Sequence, residues 1–600
     1  MAVLAAIAAL AAEEGEMQSQ RRGSQSGPDA DWLAGAVLYL TGETELENLD
    51  EEQLEHFSDM SRSPVRINYC GRQELSASGL FSVYQVASLM DYRSGNGDVL
   101  SFAELSALDG FSSAFVDAVS HFVSLESSSF PGARAGRMPP DISSDTNISL
   151  KSVEDKDVQL SSWHRLHISR EGKYDISLGA KKGYGESILN LSSYCGSVSF
   201  SGPRERGRVV VGDYALRFGQ GLGLWSGFSV SGFSGQRSFS KRPTGISPSR
   251  SFSASASHRG IAADYETGRF RLSAFSSFPG FRDWCESGRP ISMSVMPGIN
   301  AAWFSSSGTV SLTTFCIFPT KSSNNTDSFF ARVSADSRFC IKGIDIYGEA
   351  AFDCLTRKAS AAAGLSLPVN DDWSMSFAGR WIPGGYNLAC SSPVRAFSGK
   401  KGESGVAAGL FYKKMSLTAD MAFNESDPHR RQLKILVDCP LEISPAVRLQ
   451  LRATERLRNY GSRTRTDIRA DLKWTCQAWQ SVLRLNVLEC KSFSGLVYAE
   501  EGYCGGKGAV FLRSTFFIVD NWDDRIYSYE RDAPGTFNVP AYYGRGYALS
   551  FVARKRFEWR SGALKLYFRT GYVSHPWRSP GKDGTRPSGL EAKFQLSVDF

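Results

Sequence analysis

Leu590-Glu-Ala-Lys-Phe-Gln-Leu-Ser-Val-Asp-Phe600 alternates apolar and polar residues without a break. Leu590, Ala592, Phe594, Leu596, Val598 and Phe600 share one side of a period of two; Glu591, Lys593, Gln595, Ser597 and Asp599 share the other. A β-strand sends successive side chains to opposite faces, so one face is uncharged and the other is wet. Soluble sandwiches also use such strands. At the end of a long series of similar strands, and closing on an aromatic, the pattern fits a transmembrane barrel with lipid outside and water or a polar plug inside. Phe594, Leu596, Val598 and Phe600 are the expected membrane-insertion strand. Outer-membrane lipid and the barrel-assembly machinery are the expected partners.

Composition agrees with that expectation. The 600 residues exceed one ordinary domain, and no run of about 18 apolar residues follows the N-terminus, which argues against a membrane helix. Aromatic residues at 12% and 57 glycines suit strands, girdles and turns. A net charge of +6 is small for this length and names no partner. Residues 1–12 resemble the apolar core of a secretory signal without its basic flank; a short Ala-rich helix is the competing reading.

Eleven cysteines are scattered and lack a CxxC pair, so neither a disulfide framework nor a zinc site is expected. His164 and His167 resemble metal ligands, but three residues apart on a strand they face opposite ways. No Ser-His-Asp set or metal cluster emerges. The expectation is a protein that is not an enzyme, with no cofactor, no metal and no catalytic residue.

Residues 28–62 form an acidic leader in which Leu46, Leu49, Leu54 and Phe57 recur roughly at helical spacing. The next segment carries two turns, Ser78-Gly79-Leu80 and Asp109-Gly110-Phe111, each four or five residues beyond a Glu-Leu pair (Glu74-Leu75 and Glu104-Leu105). This resembles a tandem helix-hairpin-helix unit, in which glycine permits a tight turn between packed helices. Leu75, Leu80, Val83, Val86, Leu89, Leu100, Leu105, Leu108, Phe111, Phe115, Val119 and Phe122 are its expected core. In its best-known use the motif grips DNA phosphates, and residues 66–123 resemble the head of competence-type DNA receptors. Gly79, Leu80, Gly110 and Phe111 are therefore the candidate DNA-backbone or docking turns. From Arg66 to Val123, however, three arginines face six carboxylates, a net of −3. Phosphate affinity rests on Lys and Arg, so this balance favours protein docking over DNA.

Residues 125–157, rich in serine and proline at their start, are expected to be a linker. From residue 158 the chain alternates in strand-length pieces, for example 173–181, 208–218, 328–336, 339–351 and 466–474, separated by turn clusters. Some 20–26 strands are expected from about 9–11 residues each plus connections. Mixed Arg, Lys and Asp on the polar faces implies a lumen of mixed sign. Two segments stand apart. Val209 to Trp225 is glycine-dense but lacks a P-loop lysine, and a kink or bulge in the wall is expected there. Asp523 to Gly535 mixes aromatics with charge, fitting a lumen network or a girdle.

These features together resemble a family of helix-hairpin-helix domain-containing outer-membrane β-barrels of Gram-negative bacteria. The likeness rests on Gly212-Asp213-Tyr214, Phe218-Gly-Gln-Gly-Leu222, Tyr529-Glu-Arg-Asp532 and Tyr543-Gly-Arg-Gly546. It implies a multidomain α plus β chain: a signal-like segment at 1–12, an acidic leader at 28–62, a small all-α tandem helix-hairpin-helix domain at 63–124, a linker, and a large antiparallel transmembrane β-barrel at 158–600. The implied location is the outer membrane with the helical head in the periplasm. The implied role is protein docking or plugging, in transport, for a possible periplasmic protein partner. The alternative is a DNA-uptake port in which the head contacts the DNA backbone.

Overall fold

The computed structural model describes residues 30–600 apart from 44–45, 47–48, 50, 63, 128–139, 154–156, 171–172, 187–192, 203–205, 228–231, 254–256, 279–293, 306, 319–328, 371, 398–401, 426, 428, 459–462, 535, 537, 560–561 and 579–586. The signal-like segment 1–12 lies outside the described residues, as do the side chains of Leu54 and Val83.

A 24-stranded antiparallel barrel dominates the molecule. Each wall strand pairs with its sequence neighbour, and the last, Gly589–Asp599, closes the ring against the first, Asp141–Val153, with Phe594 opposite Ile148. Closure leaves no unpaired edge, which backbone polar groups in lipid require. The alternation noted at the C-terminus is realised in space. Leu590, Phe594 and Phe600 are exposed on the outer face, whereas Gln595 and Ser597 are buried inside. Many wall strands repeat this, with Ile148, Leu178, Leu312 and Leu485 outside and Asn147, Ser177, Thr313 and Asn486 inside.

Aromatic pairs mark both rims of the apolar band. Trp373 packs on Tyr412 (4.6 Å between centroids), Trp479 on Tyr503 (5.2 Å) and Trp559 on Phe600 (6.0 Å) at the end with short turns. Phe516 with Trp577 (5.6 Å) and Phe318 with Phe329 (5.3 Å) sit at the end with long connections. An exposed apolar belt between aromatic girdles is the signature of a barrel that spans a bilayer. Among the described residues no helix is long and apolar enough to cross a membrane.

Two sequence expectations are corrected here. The wall begins at Asp141, inside the stretch expected to be a linker, because the first strand dilutes its outward face with Ser144 and Thr146. The stretch 339–351 is not one strand. Phe330–Ile341 and Ile344–Asp353 are joined by Lys342 (φ 51°) and Gly343 (φ 80°), a two-residue turn of the left-handed kind that suits strand twist.

The helical head comprises α1 (Ala30–Thr41), α2 (Glu51–Arg62), α3 (Arg72–Ala77), α4 (Val83–Asn96), α5 (Phe102–Ser106) and α6 (Ser113–Val119). Serines cap three of them: Ser82, Ser101 and Ser112 each accept the backbone N–H three residues on, satisfying donors the helix start leaves open. Gly79 (φ 69°) and Gly110 (φ 85°) turn the chain between α3 and α4 and between α5 and α6. Leu75, Leu80, Leu89, Leu105, Phe111, Phe115, Val119 and Phe122 are buried together with Val37, Leu40, Leu49, Phe57 and Met60 of the leader, so both segments share one core. Leu100, expected in that core, is 44% exposed: it precedes the Ser101 cap, and Val99 is buried instead.

Asn68 fastens the head. Its amide donates to Val99 O (2.9 Å) and Glu126 O (3.1 Å), and its carbonyl accepts from Val99 N (2.9 Å). A parallel pairing of Val65–Arg66 with Val123–Ser124 brings the two ends of the unit together.

Candidate functional site

Segments of the same chain turn into the lumen and bond to the wall. After Arg217 the backbone leaves the wall, so the expected kink or bulge at Gly219–Gly223 is corrected to an inward turn. The reason is a carboxylate. Glu349 Oε2 accepts from Gln220 N (2.6 Å) and Leu222 N (3.0 Å), and its Oε1 accepts from Gly223 N (2.7 Å). A Cβ on Gly219 (φ 63°) would lie 2.6 Å from the Glu349 carboxyl carbon, and one on Gly223 would lie 2.1 Å from Ser334 Oγ. The glycines therefore permit a nest of amides to approach an anion on the wall.

Arg332, 1% exposed on the neighbouring strand, reads the opposite polarity. It donates to Gly223 O (3.0 Å) and Ala389 O (3.0 Å), joining the turn to a second inward segment that follows Ile382. Tyr386 of that segment donates to Leu222 O (3.0 Å).

A third inward segment carries Tyr529-Glu-Arg-Asp532, which forms the lumen network foreseen as one of two readings. Glu530 accepts from Arg569 (2.5 Å), Arg531 pairs with Glu500 (2.7 Å) and Asp532 with Lys593 (2.7 Å). On the wall, Arg380 bridges Glu403 (2.6 Å) and Asp420 (2.8 Å), and Arg513 meets Glu500 (2.7 Å). Buried charges persist when paired and hydrogen-bonded, and here the wall and the inward segment neutralise each other.

The head meets these inward segments from the end with short turns. Arg242 Nη1 donates to Leu80 O (2.8 Å) and Gly79 O (3.4 Å), so the first candidate turn is docked on a cation of the lumen loop. Arg237 stacks over Tyr39 (4.3 Å) and Phe115 (5.0 Å). Beside it, Gly42 and Gly235 touch so closely that a Cβ on Gly235 would lie 2.3 Å from Gly42 O. At the rim Arg72 pairs with Glu266 (3.1 Å) and lies over Phe304 (5.3 Å), while Arg66 reaches Asp141 (3.4 Å). The second candidate turn is elsewhere: Gly110 is exposed, its carbonyl accepts from Gln85 (2.8 Å), and Phe111 is buried in the head core.

Of the residues singled out in the sequence, Gly79 and Leu80 belong to this seam, Gly110 and Phe111 do not, and Phe594 and Phe600 face outward from the wall. His164 and His167 do diverge, and His167 meets Asp175 (2.8 Å) inside. The residues that sequence reasoning missed are Arg237, Arg242, Arg332 and Glu349. A faint signal existed for the first two, cations in an otherwise serine-rich connection. Among the described residues no group of three or more His, Cys, Asp or Glu side chains could hold a metal ion.

No protein-family model and no curated protein matches the chain. Solved structures of large barrels do. The P pilus usher (PapC) translocation pore is 10% identical, covering 76% of this chain and 99% of that one at a TM-score of 0.35. The E. coli P pilus tip assembly intermediate PapC-PapD-PapK-PapG is 11% identical over 78% of this chain and 62% of that one (TM-score 0.42). Pseudomonas aeruginosa OpdQ is 9% identical over 77% and 97% (TM-score 0.26). The class defined by the fold is a membrane-spanning β-barrel with segments of its own chain turned into the lumen.

Proposed function

We propose that the chain is a non-enzymatic, transport-related outer-membrane barrel whose helical head is a periplasmic plug and docking module built as a tandem helix-hairpin-helix. Short turns face the periplasm in such barrels and longer loops face outward, which supports the periplasmic reading of the head. The observation that carries the proposal is the Arg242 contact with Gly79 and Leu80, which spends the first turn on the chain's own lumen loop. The docking reading is preferred to a DNA-uptake port for the same reason: the turn carbonyls lie on an internal cation, and the head carries a net of −3 from Arg66 to Val123.

Conductance across a planar bilayer tests the plug. Wild-type protein is expected to open rarely, and Arg242→Gln to open more often. Equal, open-pore conductance in both would refute the head and loop as a plug. Salt-sensitive DNA binding at micromolar concentration, measured on the full chain at low ionic strength, would move the uptake port into first place.

A further inference from the structure

A cavity of about 300 Å³ lies between the head and the barrel wall, beside α2 and α3 and the inner face of the strands from Asp141 to Arg217. That volume lies at the lower end of the small-molecule range. Its lining is cationic: Arg66, Arg170, Lys173, Arg208, Arg217 and Arg250 stand against Glu74, Asp141 and Asp175, six charges against three.

Internal pairing absorbs part of the excess: Arg66 also meets Glu126 (3.2 Å), and Arg217 donates to Ser226 O (3.2 Å). Arg66 reaches Asp141 (3.4 Å), and Arg250 reaches Asp175 (2.9 Å). Arg208 donates from Nη2 to Ile246 O and lies 3.6 Å from Asp264, while its buried Nε has no hydrogen-bond partner. Arg170 and Lys173 have no side-chain partner among the described residues. Two acceptors are also buried and unmet, Glu74 Oε2 and Asp175 Oδ1. Unsatisfied buried polar atoms are rare in folded proteins and call for a partner. Serine hydroxyls complete the lining, from Ser169, Ser199, Ser201, Ser247, Ser249 and Ser251.

Unpaired guanidinium and ammonium donors suit an oxyanion, arginine in particular because its planar fork matches carboxylate and phosphate. Unmet carboxylate oxygens beside serines suit hydroxyl donors. We infer that this cavity binds a small polyhydroxylated solute bearing a phosphate or carboxylate group. Arg170, Lys173 and Arg208 hold the anionic end, and Glu74 and Asp175 accept from hydroxyls. Binding needs no movement of the plug, so it goes beyond the proposed function and does not depend on it.

Calorimetric titration of the full chain in a polyoxyethylene detergent, which offers neither phosphate nor sugar, tests the site. The probes are glucose 6-phosphate and gluconate, with glucose and inorganic phosphate as controls. Saturable binding of at least one anionic sugar, weakened about tenfold or more in Arg170→Gln/Lys173→Gln, is the expected result. Heat-modifiable migration on gels verifies that the double variant is folded, and Arg208→Gln supplies an independent lesion. Binding by glucose 6-phosphate alone identifies phosphate as the anion, and binding by gluconate alone identifies carboxylate. The inference is overturned if neither binds, if glucose binds as tightly, or if the variants bind like wild type. Inorganic phosphate binding as tightly as glucose 6-phosphate overturns the polyhydroxylated assignment. The conductance difference at Arg242 would survive any of these failures, so the two ideas fall separately.

Discussion

Replacing Glu349 with alanine should release the glycine-rich turn from the wall while leaving the barrel intact. Three amides, of Gln220, Leu222 and Gly223, donate to that carboxylate at 2.6–3.0 Å. Hydrogen bonds to a charged group contribute about 1.5–3 kcal/mol each, and a buried N–H left unmet costs about 1–3 kcal/mol. The three act as a unit and water would replace part of the loss. A net local destabilisation of about 2–4 kcal/mol is therefore the working figure, or on the order of 30- to 1,000-fold in the opening equilibrium. Hydrogen exchange read by mass spectrometry is the assay. Amides of 219–224 should exchange faster by that factor in Glu349→Ala, while amides of the Gly562–Trp577 strand should be unchanged. Wild-type exchange at 219–224 in a folded variant would refute the idea that the carboxylate holds the turn. Uniform acceleration everywhere would refute its local character.

Three further outcomes follow from the same geometry. Gly235→Leu should undock α1 from the lumen loop, because its Cβ would lie 2.3 Å from Gly42 O; faster proteolysis of the head with an intact barrel would register this. Phe594→Arg on the lipid-facing side of the wall should cost about 2–4 kcal/mol, against about 0–1 kcal/mol for Phe600→Arg at the girdle, compared by urea unfolding in liposomes. Burial holds the His121 imidazole down to about 4, against the opposing pull of Asp117. The unfolded chain takes up that proton near its ordinary value of about 6.5 while the folded head does not, so stability is full above that value and falls as pH drops toward 4. Thermal unfolding of the head at pH 7.5 and 4.5 should show this loss, and His121→Asn should reduce it.

The barrel was legible because its physics is local. Each wall strand must separate lipid from a polar interior at every second residue, and Phe594, Leu596 and Val598 against Gln595 and Ser597 display that separation without any partner. Where the outward face is partly polar, as at Ser144 and Thr146, the signal fades and a strand reads as linker. The turn at Lys342-Gly343 was missed because apolar residues continue through both flanking strands. The seam was only half legible. Gly79 and Gly110 announce turns through backbone need, but the partner of the first lies 162 residues beyond Leu80, in a loop with no periodicity. Glu349 likewise looks like any inward residue of a strand until the chain from Phe218 to Trp225 is folded onto it.

The pairing of Gly589–Asp599 with Asp141–Val153 closes the ring between two strands that lie at opposite ends of the wall in sequence. Until Gly589–Asp599 is in place, one flank of the first wall strand and one flank of Gly562–Trp577 stay open. Loss of that strand would leave two templates for foreign strands, one on each side of the gap. Gly589–Asp599 is thus the keystone of the arch: a chain lacking it is an adhesive, unclosed sheet.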